Sequence, residues 1–419
     1  MLKYFIAVTE GLIAAAVLLG LLSAFTASAY GTRGRRSLGV GTLAGTLCAA
    51  VMAYLKNKTS LIHTGVWNVR IFTLSLIALA LFAIGSVLRK RTGGDRIRDW
   101  IDRVSSYCGG VLAFTFTFYA LPDVLAVPFT ISLNGASVFS TFYLVRLLGW
   151  ILGIALVLAT YFAVENTAWR SGGKVLALSL GAALGINALS QGAKILQVLV
   201  TRRVLRARVL FRIARWTSNN SRLFLYGVLL AAIFVPVFLM ARSFRVRESY
   251  DNPAQHRKIR AKWRDARRWS CAAAACFLLA VLSTTWLKAV SERKVELSPI
   301  EESELRGENV CVSLSQVEDG HLHRFAYRTP NGKDVRFIVI QKPNSSSFGV
   351  GLDACEICGE TGYYERDGQV ICSLCDVVMN INTIGFHGGC NPIPIDYRVE
   401  DGAIIVPVAT LVEHESEFK

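Results

Sequence analysis

The chain has 419 residues, 53% of them hydrophobic, with a positive mean hydropathy of +0.41. Soluble domains are about 45–50% apolar, so the excess has to be placed somewhere, and it is concentrated before residue 290 in runs too apolar for a soluble core. The net charge of +16 conceals two opposite parts: residues 291–419 hold 11 Lys+Arg against 21 Asp+Glu, and the remainder holds 35 against 9. The basic charge lies between apolar runs, where Lys and Arg set orientation, so no nucleic-acid partner is implied.

Eight runs have about the twenty mostly apolar residues that crossing a bilayer requires: 3–28, 38–55, 68–88, 106–127, 138–164, 174–200, 222–241 and 269–290. The first is long, is followed at once by a second, and has no clear small-x-small cleavage site. It is therefore read as a retained helix rather than a signal peptide. Basic residues crowd the odd-numbered loops: Arg33, Arg35 and Arg36, then Arg89 to Arg103, Arg170, and Arg242 to Arg268. That bias places the odd loops inside, and both the N-terminus and the C-terminal domain outside. Arg202, Arg203, Arg206, Arg208, Arg212 and Arg215 dissent; their spacing suggests an amphipathic helix in the interface.

Past residue 290 the pattern changes to short alternating stretches, at Arg324 to Tyr327, Val335 to Ile340 and Ala403 to Val408. Turn signals such as Thr329-Pro-Asn-Gly and Asp367-Gly separate them. The expected fold is thus a polytopic α-helical membrane domain over 1–290, a polar linker over 291–308, and a small mostly-β domain over 309–419.

Five of the ten cysteines crowd into 36 residues: Cys355, Cys358, Cys372, Cys375 and Cys390. The first four form two Cys-x-x-Cys turns separated by 13 residues. Each turn aims two thiolates at one point, and a hairpin between them would gather four sulfurs around one tetrahedral metal. Gly359 suits the tight knuckle, because glycine tolerates positive φ. Zinc and iron both accept such a donor set, and spacing alone favours zinc. The alternative is a pair of disulfides between the knuckles, which an outward-facing domain would permit.

A candidate second site lies around this knuckle. Met379, His387 and Cys390 fall within 12 residues, and His321 and His323 stand at period two upstream. Thioether, thiol and imidazole together suit copper or iron. The competing readings are a core Met379, a surface pair of histidines, and a Cys390 that is simply buried or bridges to Cys311. Gly385, Gly388 and Gly389 suggest a backbone held close to something.

The run "GHLHRFAYRTPNGKDVRFIVI" and the run "GVGLDACEICGETGYYERDGQVICSLCDVVMNINTIGFHGGCNPIP" resemble the FtrD-like membrane iron–sulfur protein family, over about residues 309–408. The resemblance implies that Cys355, Cys358, Cys372 and Cys375 hold iron or an iron–sulfur cluster. It implies electron transfer tied to iron redox state. It also implies, as partners, a bacterial iron permease and a periplasmic metal-binding protein, and so an inner-membrane location with a periplasmic domain.

The first span, "YFIAVTEGLIAAAVLLGLLSAF", more weakly resembles the first helix of oxidase-coupled iron permeases. That family carries Arg-Glu-Gly-Leu-Glu, whereas here Thr9-Glu10-Gly11-Leu12-Ile13 keeps one acid. A second, shortened copy would be Tyr119 to Asp123, fitting an internal repeat. Glu10 and Asp123 are therefore candidates for an ion path, since intramembrane carboxylates are expensive. The competing readings are an interfacial acid for Glu10 and the cap of a helix broken at Pro122 for Asp123. Arg146 and Gln191 are further intramembrane polar candidates.

Three functions follow: an electron-transfer component, a zinc-ribbon scaffold, and a divergent iron permease. Nucleotide-binding loops, catalytic triads and the Cys-x-x-Cys-His haem signature are absent from the sequence, which leaves conventional enzyme chemistry little support. Before residue 290 the only histidines are His63 and His256, both in loops, so no intramembrane pair is available for haem.

Overall fold

The computed structural model describes all residues except 60–61, 134–140, 246–247, 292–296, 344, 367, 376 and 419. The chain forms two compact units, Met1–Glu292 and Arg293–Lys419.

The first unit is helical. Its elements are α1 (Leu2–Lys58), α2 (Thr64–Arg91), α3 (Asp95–Leu133), α4 (Thr141–Ser171), α5 (Gly173–Thr201), α6 (Arg208–Asn219), α7 (Ser221–Arg245) and α8 (Pro253–Leu282). α8 runs on through a π turn, Ser283–Leu287, to Ser291. Among the described residues, seven helices are long and apolar enough to cross a membrane. Eight runs were expected; two of them, 3–28 and 38–55, are the two arms of α1. A straight helix of 57 residues would be about 85 Å long, far more than a hydrocarbon core of about 30 Å. Gly31 solves this by leaving helical geometry at φ 60°, ψ −137°, a region glycine enters at little cost.

The first arm of α1 is the centre of this unit. Val8, Ile13, Val17, Leu21 and Leu22 are fully buried, among residues of α3, α4, α5, α7 and α8. Buried hydroxyls bond back along their own helices: Thr9 donates to the Phe5 carbonyl at 2.8 Å and Thr160 to Leu156 at 2.7 Å.

α3 is not broken at Pro122; it passes through both Pro122 and Pro128. Pro128 has no N–H to give to the Val124 carbonyl, and the Trp150 indole donates to that carbonyl instead, at 2.8 Å. α6 is the expected amphipathic helix, with Arg208, Arg212 and Arg215 on one face; Arg202, Arg203 and Arg206 precede it.

The second unit is mostly β. Its strands are β1 (Glu304–Arg306), β2 (Asn309–Ser313), β3 (His323–Arg328), β4 (Asp334–Gln341), β5 (Phe348–Leu352), β6 (Tyr363–Arg366), β7 (Gln369–Cys372), β8 (Arg398–Glu400) and β9 (Ala403–Pro407). They form three antiparallel sheets, β1-β2-β9-β8, β3-β4-β5 and the β6-β7 hairpin. The expected Thr329 turn joins β3 to β4, with Gly332 at φ 83°. Asp367, expected to turn the β6-β7 hairpin, lies outside the described residues.

β4 is covered on both faces, which explains its unbroken apolar run. Val335, Phe337 and Val339 enter the main core, while Ile338 and Ile340 enter a smaller cluster around the cysteines. Of the segment 291–308, expected as a polar linker, the described part from residue 297 onward makes contacts within this unit. It carries β1, and Ser298 and Glu301 bond to Arg324 and His323.

Candidate metal centre

The first cysteine pair follows β5 directly. Its turn is closed by reciprocal backbone bonds: Gly359 N–H donates to the Cys355 carbonyl at 2.8 Å, and Cys355 N–H to the Gly359 carbonyl at 3.2 Å. Gly359 sits at φ 67°, which the tight turn requires. The Cys358 N–H donates to the Cys355 sulfur at 3.1 Å. The second pair starts at the end of β7, where Cys372 N–H donates to the Val377 carbonyl at 3.1 Å. The β6-β7 hairpin, which pairs Tyr363 with Cys372, lies between the two turns and brings them together.

A fifth thiol joins them. The sulfurs of Cys355, Cys358 and Cys372 lie within 4.8 Å of one another, and so do those of Cys358, Cys375 and Cys390. The two triads share Cys358. Cys375 and Cys390 stand 3.6 Å apart, sulfur to sulfur. Two thiolates on one tetrahedral metal at about 2.3 Å would be separated by about 3.8 Å, so this spacing matches one edge of such a site. Cys390 is held in place by the Tyr363 hydroxyl, which donates to its carbonyl at 2.7 Å. All ten cysteines are free thiols. Cys311 lies on β2 opposite Ile405, and Cys390 beside Cys375, so the two make no bridge.

The thiols perturb one another. Burial, then the neighbouring Cys375, Cys372 and Cys355, push the Cys358 thiol well above its ordinary value. Burial and the bond to Cys375 push Cys390 up to about 11. Cys372 is raised by burial, against backbone N–H groups of Cys375 and Leu374 that favour its thiolate. Burial also acts on Cys375, but the Val377 N–H and three neighbouring thiols outweigh it, and its pKa is lowered. A bound cation would stabilise the thiolates and release their protons. An all-thiolate donor set, half-buried among Ile340, Val370 and Ile384, with backbone N–H groups aimed at sulfur, fits iron and iron–sulfur ligation, and zinc as well.

Beneath the knuckle lies an ion pair that sequence reasoning missed. Arg324 on β3 is 1% exposed and Asp353, two residues before Cys355, is fully buried; Nε donates to the carboxylate at 2.8 Å. Arg324 also donates to the carbonyls of Ser298 and Tyr363. Asp353 accepts the Tyr363 N–H at 2.8 Å, and Arg336 lies 3.4 Å away. One buried carboxylate thereby ties the first cysteine turn to β3, β4 and β6. The only signal in the sequence was an acid placed just before the first cysteine.

The other candidate ligands disperse. His321 is exposed and meets Glu365 at 2.9 Å. His323 is nearly buried between Glu301 at 2.9 Å and Asp319 at 2.8 Å. His387 is exposed, 3.4 Å from Glu356. Met379 is buried in the apolar cluster around the thiols. Gly385 approaches the Val350 carbonyl, but Gly388 and Gly389 have open space around them and are there for their positive φ.

In the helical unit, Glu10 meets Lys288 at 2.5 Å and Arg222 at 3.3 Å. Asp123 is exposed and pairs with Lys56 at 2.5 Å. The two acids line separate cavities that share Tyr119. Arg146 stacks on Tyr4, and Gln191 is buried on α5.

Comparison with protein families gives one match: the model described as "Membrane iron-sulfur containing protein FtrD-like" matches residues 317–418. That span contains all five clustered cysteines and the Arg324–Asp353 pair. No curated protein and no solved structure matches the chain. The molecule is thus a helical membrane protein whose C-terminal unit is similar to that iron–sulfur family and carries a cysteine cluster able to hold a metal.

Proposed function

We propose that the C-terminal unit holds a thiolate-bound iron or iron–sulfur centre on Cys355, Cys358, Cys372 and Cys375, with Cys390 as a fifth thiol within reach. The unit faces the periplasm of a bacterial inner membrane and passes single electrons. Its partners in this reading are an iron permease and a periplasmic metal-binding protein, so the chain supports iron uptake. The observation that carries the reading is the gathering of five thiols into two triads that share Cys358. Iron bound by thiolates supplies a one-electron couple whose potential responds to hydrogen bonds at sulfur and to solvent exposure. In this chain the backbone N–H groups of Cys358, Leu374 and Val377 supply those bonds, and the Ile340–Val370–Ile384 cluster limits water.

The test is metal and sulfide analysis of the full-length protein in detergent, with visible and electron-paramagnetic spectra. The expected result is iron, thiolate-to-iron charge-transfer absorption and a reversible one-electron wave. A colourless protein containing zinc and lacking any wave would overturn the redox reading in favour of a scaffold.

A further inference from the structure

The helical unit contains a cavity of about 220 Å³ walled by α1, α2, α3, α5 and α7. It contains Glu10, the candidate for a cation path. Its charges point to a different ligand. Glu10 is already shared by Lys288 and Arg222. Lys194 also lines the cavity; its ammonium donates to the Tyr119 hydroxyl at 2.8 Å and lies 4.5 Å from the centre of that ring. Lys194 and Arg222 thus line the cavity with one acid, Glu10, which Lys288 also neutralises, so the charge here repels a metal ion and attracts an anion.

Two further observations concern hydrogen bonding. Gln191 is 7% exposed, lines the cavity, and its amide has no hydrogen-bond partner among the described residues. Its amide reaches the cavity, where it can meet a polar group of a ligand. Arg222 meets only Glu10, through Nε, so its terminal N–H groups are unpaired among the described residues. α7 also begins here, with Ser221 and Arg222 lining the cavity. The start of a 25-residue helix presents backbone N–H groups and partial positive charge. Below these donors the walls are apolar, formed by Leu18, Phe72, Phe116 and Leu225.

We infer that this cavity binds an oxyanion of phosphate chemistry, with Lys194, Arg222 and Gln191 as donors and the apolar wall receiving whatever carries it. The apolar wall favours a phospholipid head group over free phosphate. Basic pockets between membrane helices are suited to anionic head groups.

The test uses the full-length protein in neutral detergent with three probes: phosphatidylglycerol, inorganic phosphate, and diacylglycerol, which lacks the phosphate. Retention is read by native mass spectrometry, and stabilisation by thermal melting. Phosphatidylglycerol is expected to be retained and to raise the melting temperature, and diacylglycerol to do neither. A matching shift with inorganic phosphate alone would support the site and assign the free anion as its source. Lys194→Met, Gln191→Leu and Arg222→Gln should each weaken binding about ten-fold, the loss of one charge-assisted or buried hydrogen bond. Three variants are used so that one which fails to fold leaves the others, each checked by its melting curve without ligand. Phosphatidylglycerol retained no better than diacylglycerol with no effect of phosphate, wild-type binding by all folded variants, or Glu10-dependent Mn²⁺ binding would overturn the inference.

Discussion

The two units use the same residue types in opposite ways. In the helical unit large apolar side chains face outward, as at Leu230 (73% exposed) and Leu189 (67%), while Thr9 and Thr160 are fully buried. In the C-terminal unit Phe325, Phe337 and Ile338 are fully buried, and the most deeply buried charges are the Arg324–Asp353 pair. A lipid-facing surface makes outward leucines stable, so helices there pack through small residues and hydroxyls that satisfy themselves on their own backbone. A water-facing β unit must bury its apolar groups, and any charge it buries needs a partner. The lesson is that exposure alone does not identify a surface patch; the solvent on that face decides.

The sharpest way to break this comparison is at the thiols. Cys358→Ala removes the residue common to both triads, so metal content of the full chain should fall to near background by elemental analysis. Cys311→Ala, on β2, should leave it unchanged. Metal–thiolate binding contributes on the order of 10 kcal/mol in small metal domains, which makes this the largest expected effect. Wild-type metal in the Cys358 variant would refute the shared-ligand arrangement.

The buried pair comes next. Arg324→Met leaves the Asp353 carboxylate buried without its closest cation and should cost about 3–5 kcal/mol in the C-terminal unit. Hydrogen exchange resolved by peptide checks this through faster exchange in β4 and β6. Leu230→Ala, on the lipid-facing side of α7, should cost less than about 1 kcal/mol by the same readout, since it opens no cavity. Equal losses at the two positions would end the distinction drawn between the units.

The smallest effect concerns pH. The bond to Glu365 raises His321 above its ordinary pKa. Burial opposes the charge on His323, but bonds to Asp319 and Glu301 outweigh it and its pKa is also raised. A raised folded pKa means stability that is complete below the unfolded value of 6.5 and fades as pH rises through the folded value. Pulse proteolysis in urea should therefore show a small fall in the C-terminal unit's midpoint between about pH 6 and about pH 8. His323→Gln should flatten that slope; an unchanged slope would remove His323 from the account.

Much of this architecture was legible before any coordinates. Apolar length found the helices that are long and apolar enough to span among the described residues, because the hydrocarbon sets a minimum run that composition displays directly. The basic rhythm at Arg208, Arg212 and Arg215 found α6, and the alternation around Val335 found β4. Legibility failed where partners are distant in sequence. His321 and His323 read as ligands because period two puts them on one face; the acids that take them, Glu365 and Glu301, lie 44 and 22 residues away.

Sequence by itself determined the two-part organisation and the paired cysteine turns, since both are encoded in local runs and spacings. Tertiary structure alone decided that Cys390 stands with Cys375, that Asp353 and Arg324 anchor the knuckle, and that Glu10 is surrounded by cations. Each of these depends on which remote segments pack together. Packing is set by the summed burial of whole elements, and no short window of sequence contains that sum.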